Sequence, residues 1–84
     1  MNADKENILQ QVRDTLVELF DLEPSEIVPQ ARLYDDLDID SIDAVDLLID
    51  LKKTTSVDLT PAQFKQVRTI QDVVDVLAEL SVKA

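Results

Sequence analysis

The absence of glycine from all 84 residues restricts the fold of this chain more than any other feature of its sequence. Sheets need tight turns every few residues, and those turns depend heavily on glycine and proline. With no glycine and three prolines, the chain is poorly suited to an all-β fold. Its apolar residues recur with helical spacing instead. We therefore predict one all-α domain over residues 1–84, a small four-helix bundle with three longer helices, one short helix and a long anchored loop between the first two.

The composition also limits the partners of the chain. Eighteen acidic residues against eight basic ones give a formal net charge of −10. Phosphate backbones are bound by clustered lysine and arginine, so nucleic acid is not expected as a ligand. An acidic surface favours basic protein partners and fast encounter with them. No apolar stretch is long enough to span a membrane, and the polar N-terminus does not resemble a signal peptide, so we expect a cytoplasmic protein. We also predict that it is a monomer.

The first helix and the segment that follows it differ sharply in pattern. Helical spacing predicts a helix from about Asp4 to Phe20, with Asn2 or Asp4 as its cap. Two prolines then interrupt a stretch of roughly twenty residues that reaches about Asp40 and has no sustained period, and such a long connection usually has a function. We expect four apolar residues to anchor it to the core: Ile27, Val28, Leu33 and Leu37.

The second helix carries two apolar stripes instead of one. It is predicted to run from Asp40 or Ser41 to about Lys53, with one stripe spaced for burial in the core. This core stripe consists of Ala44, Leu47, Leu48 and Leu51. The opposite side presents a second stripe with aspartates between its members: Ile42, Asp43, Val45, Asp46, Ile49 and Asp50. A surface helix needs only one apolar stripe, so we interpret this second set, the docking face, as a surface for partner proteins.

Two cap signals define the remaining helices. Thr60 and Gln63 have the spacing of a capping box and predict a short helix, which should turn Phe64 and Val67 inward. Thr69 can cap the last helix. The apolar stripe of that last helix consists of Ile70, Val73, Val74, Leu77 and Leu80.

The candidate functional residue is Ser41, which lies among aspartates at the predicted start of the second helix. The chain has no histidine to take its proton, so catalysis by a serine nucleophile is not expected. Asp40 can cap the helix, which leaves the Ser41 hydroxyl outward and open to modification. Asp36, Asp38 and Asp40 imitate half of a calcium loop, but Ser41 and Leu47 replace its required glycine and glutamate, so no metal site is predicted.

The residues around Ser41 resemble a known family. The run Asp40-Ser41-Ile42 is similar to the Asp-Ser-Leu motif of acyl carrier proteins, with isoleucine in place of leucine. The resemblance covers nearly the whole chain, since the order of helices, the long loop, the size and the acidity also agree. The chain departs from the family at Asp38, where glycine is frequent, and at Lys52-Lys53-Thr54-Thr55, a stretch that is acidic in many fatty-acid carriers.

The resemblance implies a free-standing bacterial carrier in which Ser41, beside Asp40, bears a covalent 4′-phosphopantetheine arm. A phosphopantetheinyl transferase would add the arm from coenzyme A, and the thiol of the arm would hold acyl groups as thioesters. The implied partners are ketosynthase, ketoreductase, dehydratase and acyltransferase enzymes of fatty-acid or polyketide biosynthesis. Segments 41–46 and 64–72 are similar to carriers of aryl-polyene pathways.

A carrier must also hold its cargo between docking events. The bundle could open to admit an acyl chain, and we expect four residues to form the walls of that pocket: Leu47, Leu51, Phe64 and Ile70. Two alternatives stay open at this point. One is an acidic interaction module without a prosthetic group, in which Ser41 is only a helix cap, and the other is a peptidyl carrier of the same fold.

Overall fold

The computed structural model describes residues 5–83, with the side chains of residues 5–80. The four α-helices in this range are α1 (Lys5–Phe20), α2 (Ser41–Thr55), α3 (Pro61–Phe64) and α4 (Ile70–Lys83). A 3₁₀ turn, Pro24–Glu26, follows α1, and the β geometry in the described range is one isolated bridge between Arg32 and Thr69. The predicted all-α class is therefore confirmed, with three longer helices and one short one. The predicted caps Asn2 and Asp4 lie outside the described residues.

One hydrophobic cluster receives residues from every helix and from the connection between α1 and α2. The helix α1 packs against both α4 and α2, and α3 packs on α2. Burial of one leucine or isoleucine side chain contributes about 1.5 to 3 kcal/mol, so the core provides the main stabilising free energy of this cysteine-free chain. The largest fully buried side chains include Leu16, Ile27, Leu33, Leu47, Leu51, Leu59, Ile70 and Leu77.

The connection between α1 and α2 is anchored to the core, as predicted, but one of the predicted anchors is wrong. Ile27, Leu33 and Leu37 are buried, whereas Val28 is 40% exposed. The reason is a turn in which the Val28 carbonyl accepts a hydrogen bond from the Ala31 N–H at 2.9 Å, so that Ala31 is buried in its place. The side chain of Val28 therefore points away from the core cluster.

Backbone hydrogen bonds hold the same connection against the start of α4. The Ile70 N–H donates to the Ala31 carbonyl at 3.0 Å, and the Leu33 N–H donates to the Arg68 carbonyl at 2.9 Å. These bonds satisfy polar groups that would otherwise be buried without partners. The loop is therefore fixed at its middle as well as at its two ends.

The helix ends follow the predicted cap residues. The Thr60 hydroxyl accepts from the Gln63 N–H at 3.2 Å while the Gln63 side chain accepts from the Thr60 N–H at 3.1 Å, which completes the capping box of α3. The Asp72 N–H donates to the Thr69 hydroxyl at 3.2 Å at the start of α4. The helix α2 continues past the predicted Lys53 and ends where Ser56 adopts a left-handed conformation, with φ 58°.

We predict that Ser56→Gly stabilises the protein, because glycine adopts positive φ without the steric cost that a Cβ atom imposes. The free energy of unfolding should rise by about 0.5 to 1 kcal/mol, measured by urea denaturation. The matched control is Thr55→Gly, one residue earlier and still helical, where the Thr55 hydroxyl donates to the Leu51 carbonyl at 2.6 Å. That control should be destabilised, by about 1 kcal/mol. Equal effects at the two positions would contradict this account of the helix end.

Candidate functional site

The start of α2 separates the cap from the serine. The Asp40 carboxylate accepts the Asp43 N–H at 2.8 Å, so Asp40 is the N-cap and Ser41 is the first helical residue. Ser41 is exposed, and its hydroxyl has no hydrogen-bond partner among the described residues. The interpretation of Ser41 as a simple cap is therefore wrong, since Asp40 already accepts the first-turn N–H. The hydroxyl is free to react with an incoming group.

The segment just before Asp40 is held in place by buried neighbours. Leu37 and Ile39 are both buried, and the Ile39 N–H donates to the Leu33 carbonyl at 3.0 Å. Asp38, between them, has a φ of 57°. This left-handed conformation favours glycine, which gives a physical reason for the glycine that is frequent at this place in acyl carrier proteins. Two anchors on either side of a turn thus fix the position at which α2 begins.

The docking face lies on the solvent side of α2. Ile42, Val45 and Ile49 are 74%, 54% and 48% exposed, whereas the core stripe of the same helix is buried. Asp46 is exposed, and Asp43 and Asp50 are half-buried. The division of the helix into a core side and an apolar, acidic outer side therefore agrees with the predicted placement of these side chains.

An apolar cleft of about 220 Å³ lies between α2 and α3 and includes Ser41 in its wall. Its other lining residues are Tyr34, Ala44, Val45, Leu48, Pro61, Phe64 and Lys65. Of the four predicted pocket residues, Phe64 lines this cleft, whereas Leu47, Leu51 and Ile70 lie fully buried in the core cluster. Those three could contact cargo only if the bundle opened.

The cleft also contains residues that sequence analysis missed. Tyr34 belongs to the connection, where no period assigns its direction, and Lys65 follows the short helix α3. Neither residue has a local signal that would have placed it beside Ser41. A larger cavity of about 350 Å³ lies along α4, but neither Ser41 nor any residue of the docking face lines it.

Ion pairs neutralise only part of the negative charge of residues 33–51, the acidic segment. Seven aspartates lie between Leu33 and Leu51. Arg32 pairs with Asp35 at 3.5 Å and with Asp36 at 3.3 Å. The pKa of the Asp36 carboxyl lies below its usual value for two reasons. The larger is the hydrogen bond that the Arg32 backbone N–H donates to Asp36 Oδ2 at 2.8 Å, and the smaller is the hydrogen bond from the Arg32 guanidinium. The other five aspartates of the segment have no ion pair with any described residue, and no group of acidic side chains in residues 5–80 is arranged to hold a metal ion.

Comparison with known proteins gives one consistent result. The profile described as "Phosphopantetheine attachment site" matches residues 10–77. Acyl carrier protein 2 of Ralstonia nicotianae is 42% identical over 73 residues, which cover 87% of this chain and 90% of that protein. An acyl carrier protein of Coprothermobacter proteolyticus is 31% identical over 74 residues, covering 88% and 90%. The solved acyl carrier protein of Enterococcus faecalis superposes with a TM-score of 0.76 at 23% identity, covering 93% of this chain and 99% of that one, and supports the fold alone.

The chain belongs to the acyl carrier protein family. It is therefore a carrier and not an enzyme, its prosthetic group is phosphopantetheine, and the alternative of an interaction module without a prosthetic group is set aside. Membership also implies interaction with a phosphopantetheinyl transferase and with synthase enzymes. Within residues 5–83, no helix has the length and apolar character that crossing a membrane requires.

We predict that salt raises the melting temperature, because five aspartates in and just before α2 repel one another and have no ion pair with a described residue. The measurement is thermal unfolding across NaCl concentrations, and then across millimolar magnesium. Asp46→Asn should melt higher than wild type at low salt and should gain less from added salt. If wild type and Asp46→Asn both show a flat melting temperature, the charges are already compensated and the prediction is wrong.

Proposed function

We propose that Ser41 is the residue to which 4′-phosphopantetheine is attached. The observation that carries the proposal is the exposed, unpartnered hydroxyl at the first position of α2, directly after a cap that Asp40 supplies. The match of Asp40-Ser41-Ile42 to the family motif supports the same residue. The bound group would be a phosphodiester, flexible enough to carry a thioester from one enzyme to another.

The transfer reaction divides the work between two proteins. The Ser41 oxygen forms a bond to the phosphorus that carries pantetheine in coenzyme A, and the bond from that phosphorus to the nucleotide half breaks. The serine proton must go to a base on the transferase, because no described residue of this chain is hydrogen-bonded to the hydroxyl. This chain contributes position and access, and the transferase contributes the chemistry.

We predict that Ser41→Ala abolishes attachment of the arm and leaves the fold intact. Removing the hydroxyl breaks no hydrogen bond with a described residue, and Asp40 keeps the helix cap, so the free energy of unfolding should change by less than about 1 kcal/mol. The measurement is intact mass after incubation with coenzyme A and a broad-specificity transferase. A wild type that gains no phosphopantetheine mass, or an alanine variant that does, would overturn the assignment.

We further propose that the docking face is the common contact for the transferase and for the ketosynthase, ketoreductase, dehydratase and acyltransferase partners. Its aspartates would steer basic partners toward α2 and speed their encounter. Its three apolar side chains offer a narrow contact, which suits partners that must bind and release in turn. Ser41 adjoins this face, so a partner bound there has the arm within reach.

Separate variants should distinguish steering from contact. Asp46→Lys should slow association and weaken its dependence on salt, because rim charges act mainly on encounter. Ile49→Ser should instead hasten dissociation, because it removes apolar contact. Both residues are exposed, so stability should change by about 0.5 kcal/mol or less. The measurement is binding kinetics of a cognate partner, for example the transferase, at two salt concentrations.

Matched controls lie on α1, away from the docking face. Glu18→Lys makes the same change in net charge as Asp46→Lys, and Leu19→Ser replaces another exposed apolar residue. Glu18→Lys should change the association rate less than Asp46→Lys does. Leu19→Ser should change the dissociation rate less than Ile49→Ser does. If Ile49→Ser unfolds the domain while binding by the folded fraction stays normal, the stripe belongs to the core and the proposal fails.

The finer assignments are proposals as well. We propose one monomeric domain over residues 1–84, cytoplasmic, with acyl rather than peptidyl cargo, which the names of the related carriers favour. The pathway would be fatty-acid, polyketide or aryl-polyene biosynthesis. Cargo would contact Phe64 first and reach Leu47, Leu51 and Ile70 if the helices part. The location, cargo and pathway describe the role of the chain in the cell, whereas the attachment residue describes the bond that its serine forms.

A further inference from the structure

Lys65 is the single charged residue in the lining of the cleft that contains Ser41. We propose that the ammonium group of Lys65 is the counter-ion of the phosphodiester formed on Ser41, and that this ion pair holds the base of the arm over the cleft between α2 and α3. The inference rests on the proposed attachment at Ser41. It assigns a positioning role to a residue that the family motif does not include.

Attachment of the arm places a negative charge where negative charge is already concentrated. Asp40 and Asp43 lie within two residues of Ser41, and neither has an ion pair among the described residues. Like charges at close range repel, and the phosphodiester would add to this repulsion. A cation at the same site would offset that cost once the arm is present.

Lys65 is available for this role because it has no partner in the part of the chain that the structure describes. Its side chain is exposed and makes no ion pair or hydrogen bond with any described residue. Lys5 and Arg32 are already paired, with Asp75 at 3.0 Å and with Asp36, whereas Lys52, Lys53 and Arg68 have no ion pair with a described residue but do not line this cleft. The ammonium group of Lys65 therefore lies in the wall of a cleft beside an acidic segment and has no counter-ion among residues 5–80.

The backbone at Lys65 is fixed even though its side chain is free. Its N–H donates to the Pro61 carbonyl at 2.9 Å, at the end of the capped helix α3, and the preceding Phe64 is buried against the core. The apolar stem of a lysine can lie along apolar surface while its ammonium group stays in water. Three rotatable N–H donors then suit a phosphate whose exact position shifts as the arm moves.

The proposed ion pair gives the arm a direction. Val45 lines the cleft and also belongs to the docking face, so the two surfaces share an edge. An arm whose phosphate is held at Lys65 would start on the cleft side of this edge, and its cargo would enter the cleft between Tyr34 and Phe64. A docked partner would then draw the arm across Val45 toward its own active site.

The test is a double-mutant cycle in which attachment of the arm is one change and Lys65→Gln is the other. Wild type, Lys65→Gln and Lys65→Arg are each prepared with and without the arm, and intact mass with peptide mapping verifies attachment at Ser41. Melting temperatures of all forms are compared at low salt. The matched control is Lys53→Gln, because Lys53 lies at the other end of α2, about 18 Å along the helix axis from Ser41.

We expect the arm to stabilise wild type relative to Lys65→Gln by about 1 to 5 °C, the range for an exposed ion pair in a domain of this size. The arm should stabilise Lys65→Arg and Lys53→Gln as much as it stabilises wild type. Roughly half-molar NaCl should remove most of the stabilisation relative to Lys65→Gln. The inference would be overturned if attachment of the arm changed the melting temperature of Lys65→Gln as much as that of wild type. It would also be overturned if Lys53→Gln lost as much of the stabilisation as Lys65→Gln. Failure to attach the arm at Ser41 in wild type would instead overturn the proposed function.

Discussion

The hydrogen bond between the Asp40 carboxylate and the Asp43 N–H determines where α2 begins, and the functional features of the molecule follow from that start. With Asp40 as the cap, Ser41 becomes the first helical residue, and its hydroxyl has no partner among the residues that the structure describes. A start one residue later would make Ser41 the cap and occupy the same hydroxyl. Burial of Ile39 and the bond from its N–H to Leu33 hold the chain in this register.

The same register divides α2 between two tasks. Side chains on one side fill the core against α1, and those on the other side remain exposed as the docking face. The aspartates of the outer side repel one another, so the segment that is proposed to recruit partners is also one that lowers the stability of the fold. Arg32 compensates Asp35 and Asp36 in the loop, and the aspartates of α2 are left available to partners. The uncompensated aspartates therefore lower the stability of the fold close to Ser41, the proposed attachment residue.

The connection between α1 and α2 has a structural role and a functional one. Its backbone pairs with the start of α4, which fixes the middle of a segment whose regular structure is one short 3₁₀ turn. It also brings Tyr34 into the lining of the cleft, so that the wall around Ser41 is built from three separate parts of the chain. Lys65 comes from the third of these parts, which explains how a serine among aspartates acquires a nearby cation.

Much of this molecule could be predicted from the sequence because its signals are local. The period of the apolar residues in α2, the cap residues Asp40 and Thr60 and the lack of glycine each act within a few residues. The features that the sequence did not predict depend on contacts between distant segments, which form only in the tertiary structure. The turn that buries Ala31 and exposes Val28 follows from pairing with the start of α4, and the cleft at Ser41 follows from packing of α3 on α2. A local period or motif does not predict such contacts, because they form only when separate elements pack into one core.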